Sequence, residues 1–551
     1  MAKEEAELTA AVKRLSDLTS QATPNDGTPV KKKTLTEEDA YGVLAFSWPR
    51  KKKWGILTVV FLIQISMNFN AAIYGNAVPG MLAEFGITNP IVSRLGQFIF
   101  LVMYGIGCEL WAPWSEELGR WWPMFMSLLL VNVWQIPSAL APTFWVVFAA
   151  RLLGGVSSAG GSVTLGLVAD MYEVKDQQSP LNFIVLSSCA GSVVAPMAGG
   201  FITEYLPWQD VFWVTLALGG LSWSLWFCVP ETRPTILLDI EAQRRRKADP
   251  TCNAYGPNEI RGNLRQRINV KDSMRLMGRP YKLLLTEPIV GLLSLLSGFS
   301  DALIFSSLDS LKLVMDQWKF TPSQMGMCFA SLLLAYLAAY ALFEVFSVRD
   351  RRQASTPEGL RPEFRLRLLL YVVPLETIGL FGLGWASLGP PCHWIVPLIN
   401  VFLIGIANYA IYMATIDYMV AAYGPFAASA TGGNGFARDV LAGIAALYTV
   451  PMYENILPGT KWSLVIPAMI LSVAALLLCI PVYVFYFHGP YFRARSPYAS
   501  QLQKHRDDTH LARERAVHNQ SAPNSTVVSP RASIDEDRLC STGSVTAFAR
   551  V

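Results

Sequence analysis

A dozen apolar stretches, each about 20 residues long, run through the chain, and this pattern restricts the fold more than any single motif. Wound as a helix, such a stretch crosses the hydrocarbon core of a bilayer with its backbone N–H and C=O groups paired internally. The stretches lie at about 54–74, 91–112, 122–141, 144–169, 181–204 and 211–229, and after a polar interval at about 284–306, 325–347, 366–387, 393–415, 426–450 and 462–487. Charged residues make up 16% of the 551 and hydrophobic ones 52%, whereas soluble domains carry roughly a quarter charged residues. The expected architecture is an all-α polytopic membrane protein with twelve transmembrane helices in two six-helix bundles, 54–229 and 284–487. A basic central loop, 230–283, joins the bundles, and polar tails, 1–53 and 488–551, flank them. Little chain is left over for a soluble catalytic domain.

The net charge of +4 does not point to nucleic acid, because the basic residues flank the apolar stretches instead of gathering on one soluble module. Arg50, Lys51, Lys52 and Lys53 precede span one, Arg244, Arg245, Arg246 and Lys247 stand in the central interval, and Arg349, Arg351 and Arg352 follow span eight. Twelve spans put all of these on one face, and basic residues in short loops mark the cytoplasmic side. Both tails are therefore expected in the cytoplasm. The first 46 residues lack the apolar core of a secretory signal; Leu8, Val12 and Leu15 have helical spacing in a tail expected to be mobile. The sequons at Asn519 and Asn524 read as chance matches on that side, and Ser529 and Ser533 are candidate phosphorylation sites in a tail of disordered composition. Eight cysteines show neither C-x-x-C spacing nor metal-site pairing with the five histidines, so packing is their expected role and no cofactor or metal is expected.

Between spans two and three the chain reads G-C-E-L-W-A-P-W-S-E-E-L-G-R, Gly107 to Arg120. Gly119 permits a tight turn, while Glu116 and Arg120 can form charge-assisted bonds to neighbouring helix ends. Span four carries Arg151-Leu-Leu-Gly154-Gly155. An arginine at membrane depth is costly unless it finds a partner or a watery cavity, the competing account being a side chain that snorkels to the interface. Span five carries Gly191-Ser-Val-Val-Ala195-Pro196-Met-Ala-Gly199-Gly200, where proline bends the helix and glycines let a neighbour approach. Pro230-Glu231-Thr232-Arg233, Arg279-Pro280, Glu287-Pro288, Pro362-Glu363-Phe364-Arg365-Leu366, Tyr423-Gly424 and Ser429-Ala430 stand near later span ends.

In this order and at these positions the set resembles the major facilitator superfamily, and within it the fungal twelve-span drug:proton antiporters that export drugs and secondary metabolites. The resemblance covers nearly everything from Trp54 to Tyr498. It implies the major facilitator fold, a gating role for Glu116, Gly119 and Arg120, proton coupling by Arg151, and an exporter's antiporter motif at Gly191, Pro196, Gly199 and Gly200. Ala112 and Ala195 stand where the family usually has glycine, and Trp121 where it often has a basic residue.

Polar residues inside spans mark a cavity better than apolar ones do, because they are expensive there. Gln64 and Asn68 in span one, Ser294, Ser297 and Asp301 in span seven, Tyr336 and Tyr340 in span eight, Asn408, Tyr412 and Thr415 in span ten, and Asn434 and Arg438 in span eleven form helical stripes. Gln64, Asn68, Ser297, Asp301, Tyr336, Tyr340, Asn408, Tyr412, Asn434 and Arg438 are the candidate substrate contacts; aromatic rings with a few carboxylates suit an amphipathic or cationic organic molecule. Each has a competing role as an interhelical hydrogen-bonder. Arg438 is expected to pair with Asp439 or Asp417, and Glu109 and Glu344 join Arg151 as candidates for proton coupling. The expected partners are a small-molecule substrate, protons and the bilayer, in a monomer at the plasma membrane or, alternatively, the vacuolar one. The expected function is proton-driven export of a small amphipathic compound, with transport of a defined nutrient such as a polyamine or organic acid as the alternative. A membrane-embedded transferase lacks its catalytic constellation, since His393 and His488 stand isolated, and the tails are short for a signalling domain.

Overall fold

The computed structural model describes residues 33–158, 160–173, 176–250, 252–262, 270–354 and 362–499. Leu8, Val12, Leu15, both sequons and both tail serines lie outside the described residues. Among the described residues, the longer helices fall into twelve consecutive spans, with helices of the central interval between the sixth and the seventh. Span one is Arg50–Ala72 continued by Tyr74–Phe85, span two Pro90–Glu117, span three Trp121–Ala139, and span four Phe144–Val156 with Gly160–Met171. Span five is Gln178–Tyr205 and span six Asp210–Trp226. Span seven is Pro288–Met315, span eight Pro322–Cys328 with Ala330–Ala354, and span nine runs in three pieces from Pro362 to Ala386. Spans ten, eleven and twelve are Ile395–Tyr423, Ala427–Asn455 and Val465–Arg495.

Among the described residues, eight of these are long and apolar enough to cross a membrane on length and composition alone. Spans three, four, six and eleven fall short for visible reasons. Span three carries Pro123, Asn132, Gln135 and Pro137, span four is interrupted near Ser157, span six has 17 residues, and span eleven carries Gly432, Gly433, Asn434, Gly435, Arg438 and Asp439. Their polarity is carried inward: Arg151 and Asn434 are buried in the protein.

Packing repeats after six spans. Span one packs on five as seven packs on eleven; two packs on four as eight packs on ten; three packs on six as nine packs on twelve. Across the midline, span two meets eleven and span eight meets five, which the same exchange of halves relates. The largest apolar cluster extends through both halves, from Phe69 and Tyr74 to Ala475 and Phe485.

The structure differs from the sequence expectation at several span ends, with span one running on to Phe85 and span ten to Tyr423, and in the central interval. Span seven begins at Pro288, not near 284, because Leu283 belongs to a separate helix, Val270–Thr286, and Glu287-Pro288 restarts the chain. The central interval is also more than a loop. Leu238 and Ala242, one turn apart on helix Pro234–Ala248, bury Leu35, Ala40 and Leu44 of the segment before span one, and Lys33–Thr34 pairs in parallel with Ala254–Tyr255.

Arg246 clamps this small unit by donating to Glu259 at 2.6 Å, while Glu259 also accepts the Gly256 N–H at 3.0 Å. Burial opposes the Glu259 carboxylate, but these donors outweigh it and hold the group below its ordinary value. A depressed carboxylate stabilises the folded unit fully above the ordinary glutamate range, and that contribution is lost as pH falls through the depressed value. Acidification below about pH 4 is thus expected to lower the protection of residues 35–47 against hydrogen exchange, after correction for the intrinsic pH dependence of amide exchange, and Glu259→Gln is expected to remove that loss while leaving protection in the spans unchanged.

Candidate functional site

A small cavity lies where the halves meet, lined by Asn68 and Tyr104 of the first half, Ser188, Cys189 and Ser192 of span five, and Asp301, Tyr336, Asn408, Arg438 and Asp439 of the second. Arg438 donates to Asp301 at 3.3 Å, and its guanidinium lies 3.5 Å from the centre of the Tyr412 ring. Tyr336 donates to Asn408 Oδ1 at 3.1 Å. Five of the ten expected contacts therefore line the cavity: Asn68, Asp301, Tyr336, Asn408 and Arg438.

The other five do not line it. Gln64 donates to Ser188 at 3.1 Å, tying span one to span five behind the lining. Tyr412 supports Arg438 from below. Tyr340 is half-buried on the path toward Glu344, and Ser297 and Asn434 are buried with polar atoms that have no hydrogen-bond partner among the described residues. Helical spacing finds the polar stripe but cannot separate the row facing the cavity from the adjacent row facing a neighbouring helix.

The halves touch on both sides of the cavity. On the basic face, Glu344 of span eight accepts from Ser179 at 2.8 Å and from Asn182 at 3.0 Å, both on span five, and the Tyr409 hydroxyl donates to Asn182 Oδ1 at 2.7 Å. On the opposite face span five meets span eight with almost no space between backbones. A Cβ on Gly200 would stand 2.5 Å from the Pro322 carbonyl oxygen, and one on Gly326 would stand 2.9 Å from that of Pro196. Gly191 and Gly199 give span one the same close approach, at Ile65 and Asn76. Arg94 pairs with Asp309 at 3.4 Å on this face.

Two similar ionic knots hold the basic face within each half. Arg120 donates to Asp170 of span four at 2.7 Å, and Arg365 pairs with Asp417 of span ten. Glu231, just after span six, accepts the Arg120 and Trp121 N–H groups at 2.9 and 3.1 Å, so it caps span three. Gly119 has φ +90°, and a Cβ there would stand 2.3 Å from Glu231 Oε2. Glu231, not Glu116, supplies the acid of this turn, and Glu116 remains half-buried beside it. Likewise Arg438 takes Asp301 instead of Asp439 or Asp417, because span eleven packs on span seven and Asp417 is already engaged by Arg365.

Arg151 is buried to 2% exposure, donates to Asn70 Oδ1 at 2.7 Å, and lies 3.8 Å from the Phe100 ring centre. Its Nε and second terminal nitrogen have no hydrogen-bond partner among the described residues, so the snorkelling account does not apply. Glu109 is buried against Gly432, where a Cβ would stand 2.3 Å from its Oε1, between the cavity and the basic face.

The family model described as Major Facilitator Superfamily matches residues 60–447. The chain belongs to that superfamily. It is 29% identical over 462 residues to the MFS-type transporter kojT of Aspergillus flavus, covering 82% of this chain and 79% of that protein. It is 28% identical to the ascochitine biosynthesis cluster MFS transporter of Didymella fabae (82% and 87% covered) and 26% identical to the efflux pump radE of Floropilus chiversii (80% and 81%). Among solved structures it matches the proton:xylose symporter XylE with TM-score 0.57 at 15% identity, covering 80% of this chain and 97% of that one. The human organic anion transporter MFSD10 matches with TM-score 0.54 at 18% identity, covering 79% and 100%. This major facilitator chain is thus a membrane transporter, not an enzyme.

Sequence reasoning missed several residues at this transporter's centre. Tyr104, Ser188, Cys189 and Ser192 line the cavity, and Glu376 of span nine lies fully buried. The rule that flagged Asp301, an acid within an apolar stretch, also selects Glu376; Ser188 and Ser192 carry no comparable signal.

The opposite-face closure depends on missing side chains. Gly200→Val is expected to part spans five and eight there. A membrane-impermeant thiol reagent applied to that face should then label Cys189, buried and cavity-lining in the native chain, with Cys189→Ser as the control. Unchanged labelling would show that the glycine contact does not seal the cavity.

Proposed function

We propose that the protein exports small amphipathic organic compounds, cationic ones foremost, in exchange for protons. The observation that carries this reading is the central cavity, where two carboxylates, Asp301 and Asp439, outnumber the one guanidinium of Arg438 beside tyrosine rings. A compound with one positive charge and an apolar body balances that excess. The named efflux and biosynthesis-cluster relatives support export and a secondary metabolite as cargo.

Alternating exposure follows from the two closures. With substrate near the midplane, rocking of one bundle on the other opens one face as the other shuts. Glu344 links this motion to protons. As a carboxylate it accepts two hydrogen bonds from span five; a proton on it weakens both and frees the basic face to open. Loss of that proton and arrival of substrate restore the contact and favour opposite-face opening. Glu109, between cavity and basic face, is placed to pass the proton, and Arg151 fixes span four against span one through Asn70. The knots at Arg120 and Arg365 hold each bundle rigid at its basic end while it moves.

The same reading places the basic face and both tails in the cytoplasm, the protein at the plasma membrane as a monomer, and the two bundles at 54–229 and 284–487.

Deleting the protein from its host should raise the retained-to-secreted ratio of at least one metabolite; unchanged ratios throughout would count against export. For that compound, uptake into everted vesicles should collapse when a protonophore dissipates the gradient. Asp301→Asn should slow it about tenfold or more, because it weakens the charge-assisted bond to Arg438 and removes the excess negative charge that a cationic compound balances; flux within twofold of the native rate would remove the ion pair from the site.

A further inference from the structure

Glu376 stands at mid-span in span nine, and no part of the mechanism above uses it. Its side chain is fully buried, with a single hydrogen-bonding neighbour among the described residues, the Ser300 hydroxyl, which donates to Oε1. Oε2 has no hydrogen-bond partner, and no arginine or lysine pairs with the carboxyl among the described residues. A carboxylate in such a place lacks the compensation that buried charges otherwise have. The carboxyl is not isolated from the cavity, however. Ser300 accepts from Asn408 Nδ2 at 3.1 Å, and Asn408 Oδ1 accepts from the Tyr336 hydroxyl at 3.1 Å. Tyr336 and Asn408 both line the cavity. One turn beyond Glu376, Leu380 borders a second, mainly apolar cavity that Ser306, Ser307, Ser310 and Tyr453 also line.

We propose that Glu376 is a proton-binding site whose occupancy sets the hydrogen-bonding character of Tyr336 in the central cavity. Donor counting permits the link, because the Ser300 hydroxyl has one proton to give and two lone pairs that accept. An ionised carboxylate only accepts, so Ser300 spends its one proton on Oε1 and must accept from the Asn408 amide. The Asn408 oxygen then consumes the Tyr336 proton, and toward a substrate Tyr336 offers only its lone pairs. When a proton from water adds to Oε1, the new O–H donates to Ser300, whose hydroxyl turns to Asn408. The amide rotates by half a turn, its N–H₂ donates to the tyrosine oxygen, and the Tyr336 O–H, its proton still on the oxygen, turns to donate into the cavity. Only hydrogen bonds exchange beyond that single protonation. The proton favours Oε1 over Oε2 because only there does it meet an acceptor.

Other titratable groups around Glu376 are few. Span twelve presents Cys479, span eight Tyr336, and span seven, one residue from Ser300, Asp301 paired with Arg438; span ten presents Asn408, its Tyr409 hydroxyl being turned to Asn182. Proton binding at Glu376 stands without the antiport reading, and its use in coupling rests on that reading.

The test is infrared difference spectroscopy of the full chain in lipid discs as pH is stepped. A carboxylic-acid C=O band, assigned by its loss in Glu376→Gln, and a tyrosine band, assigned by its loss in Tyr336→Phe, are expected to change with one midpoint. Glu376→Gln should abolish the tyrosine change as well. Ser300→Ala should keep the carboxyl band at a shifted frequency and silence the tyrosine, which guards against a fold defect in the first variant. A tyrosine change that survives Glu376→Gln, or the absence of any pH-dependent band from Glu376, would overturn the proposal. Proton-independent flux with both bands intact would instead sink the antiport reading and leave this site standing.

Discussion

The cost of placing ions and unpaired backbone groups in hydrocarbon shapes every level of this molecule. It makes helices the only economical way to cross the bilayer, and it turns each buried charge toward protein. Arg151, Asp301, Arg438, Asp439, Glu109 and Glu376 all lie inside the bundles. Because a charge in that position needs an answering group on another helix, the ion pairs also select which helices meet. Span eleven, with its glycines and its Arg438-Asp439 pair, packs most closely on span seven, where Asp301 stands.

The repeat of six spans gives the second organising relation. The Arg120–Asp170 knot near the start of span three has its counterpart at Arg365–Asp417 near the start of span nine, joining equivalent helices. Equivalence is incomplete where function concentrates. In the first half, Glu231 caps the helix end at Arg120, whereas in the second Glu363 bonds the Arg493 guanidinium at 2.8 Å. The two midline contacts also differ in chemistry, one side of the span five and eight pairing being polar and hydrogen-bonded, the other glycine against glycine. Polar contacts respond to protonation and backbone contacts do not, so one face can be chemically gated while the other closes by fit.

Particular residues show how far a linear reading reaches. Asp301 and Arg438 are conspicuous because each is a charge within an apolar run, and they do meet in the cavity. Glu116 is singled out by its place in the loop motif before Gly119 and Arg120, yet Glu231, more than a hundred residues on, takes the bonds at that turn. Arg120's partner Asp170 lies at the far end of span four, a pairing that no spacing rule brings into view. Gln64 and Tyr412 share helical faces with cavity residues but point to neighbouring helices, since a face about 100° wide on a helix serves both cavity and interface.

Hydrophobic periodicity by itself determined the membrane class, the number of spans and their division into sixes, because burial in lipid is decided segment by segment. Motif order pointed to the family for the same local reason. Which acid answers which base, which stripe faces the cavity, and how Glu376 connects to Tyr336 were decided only when helices distant in the chain came within 4 Å of one another. Hydrogen bonds and ion pairs act over that short range, and no one-dimensional pattern encodes which distant groups will be brought inside it.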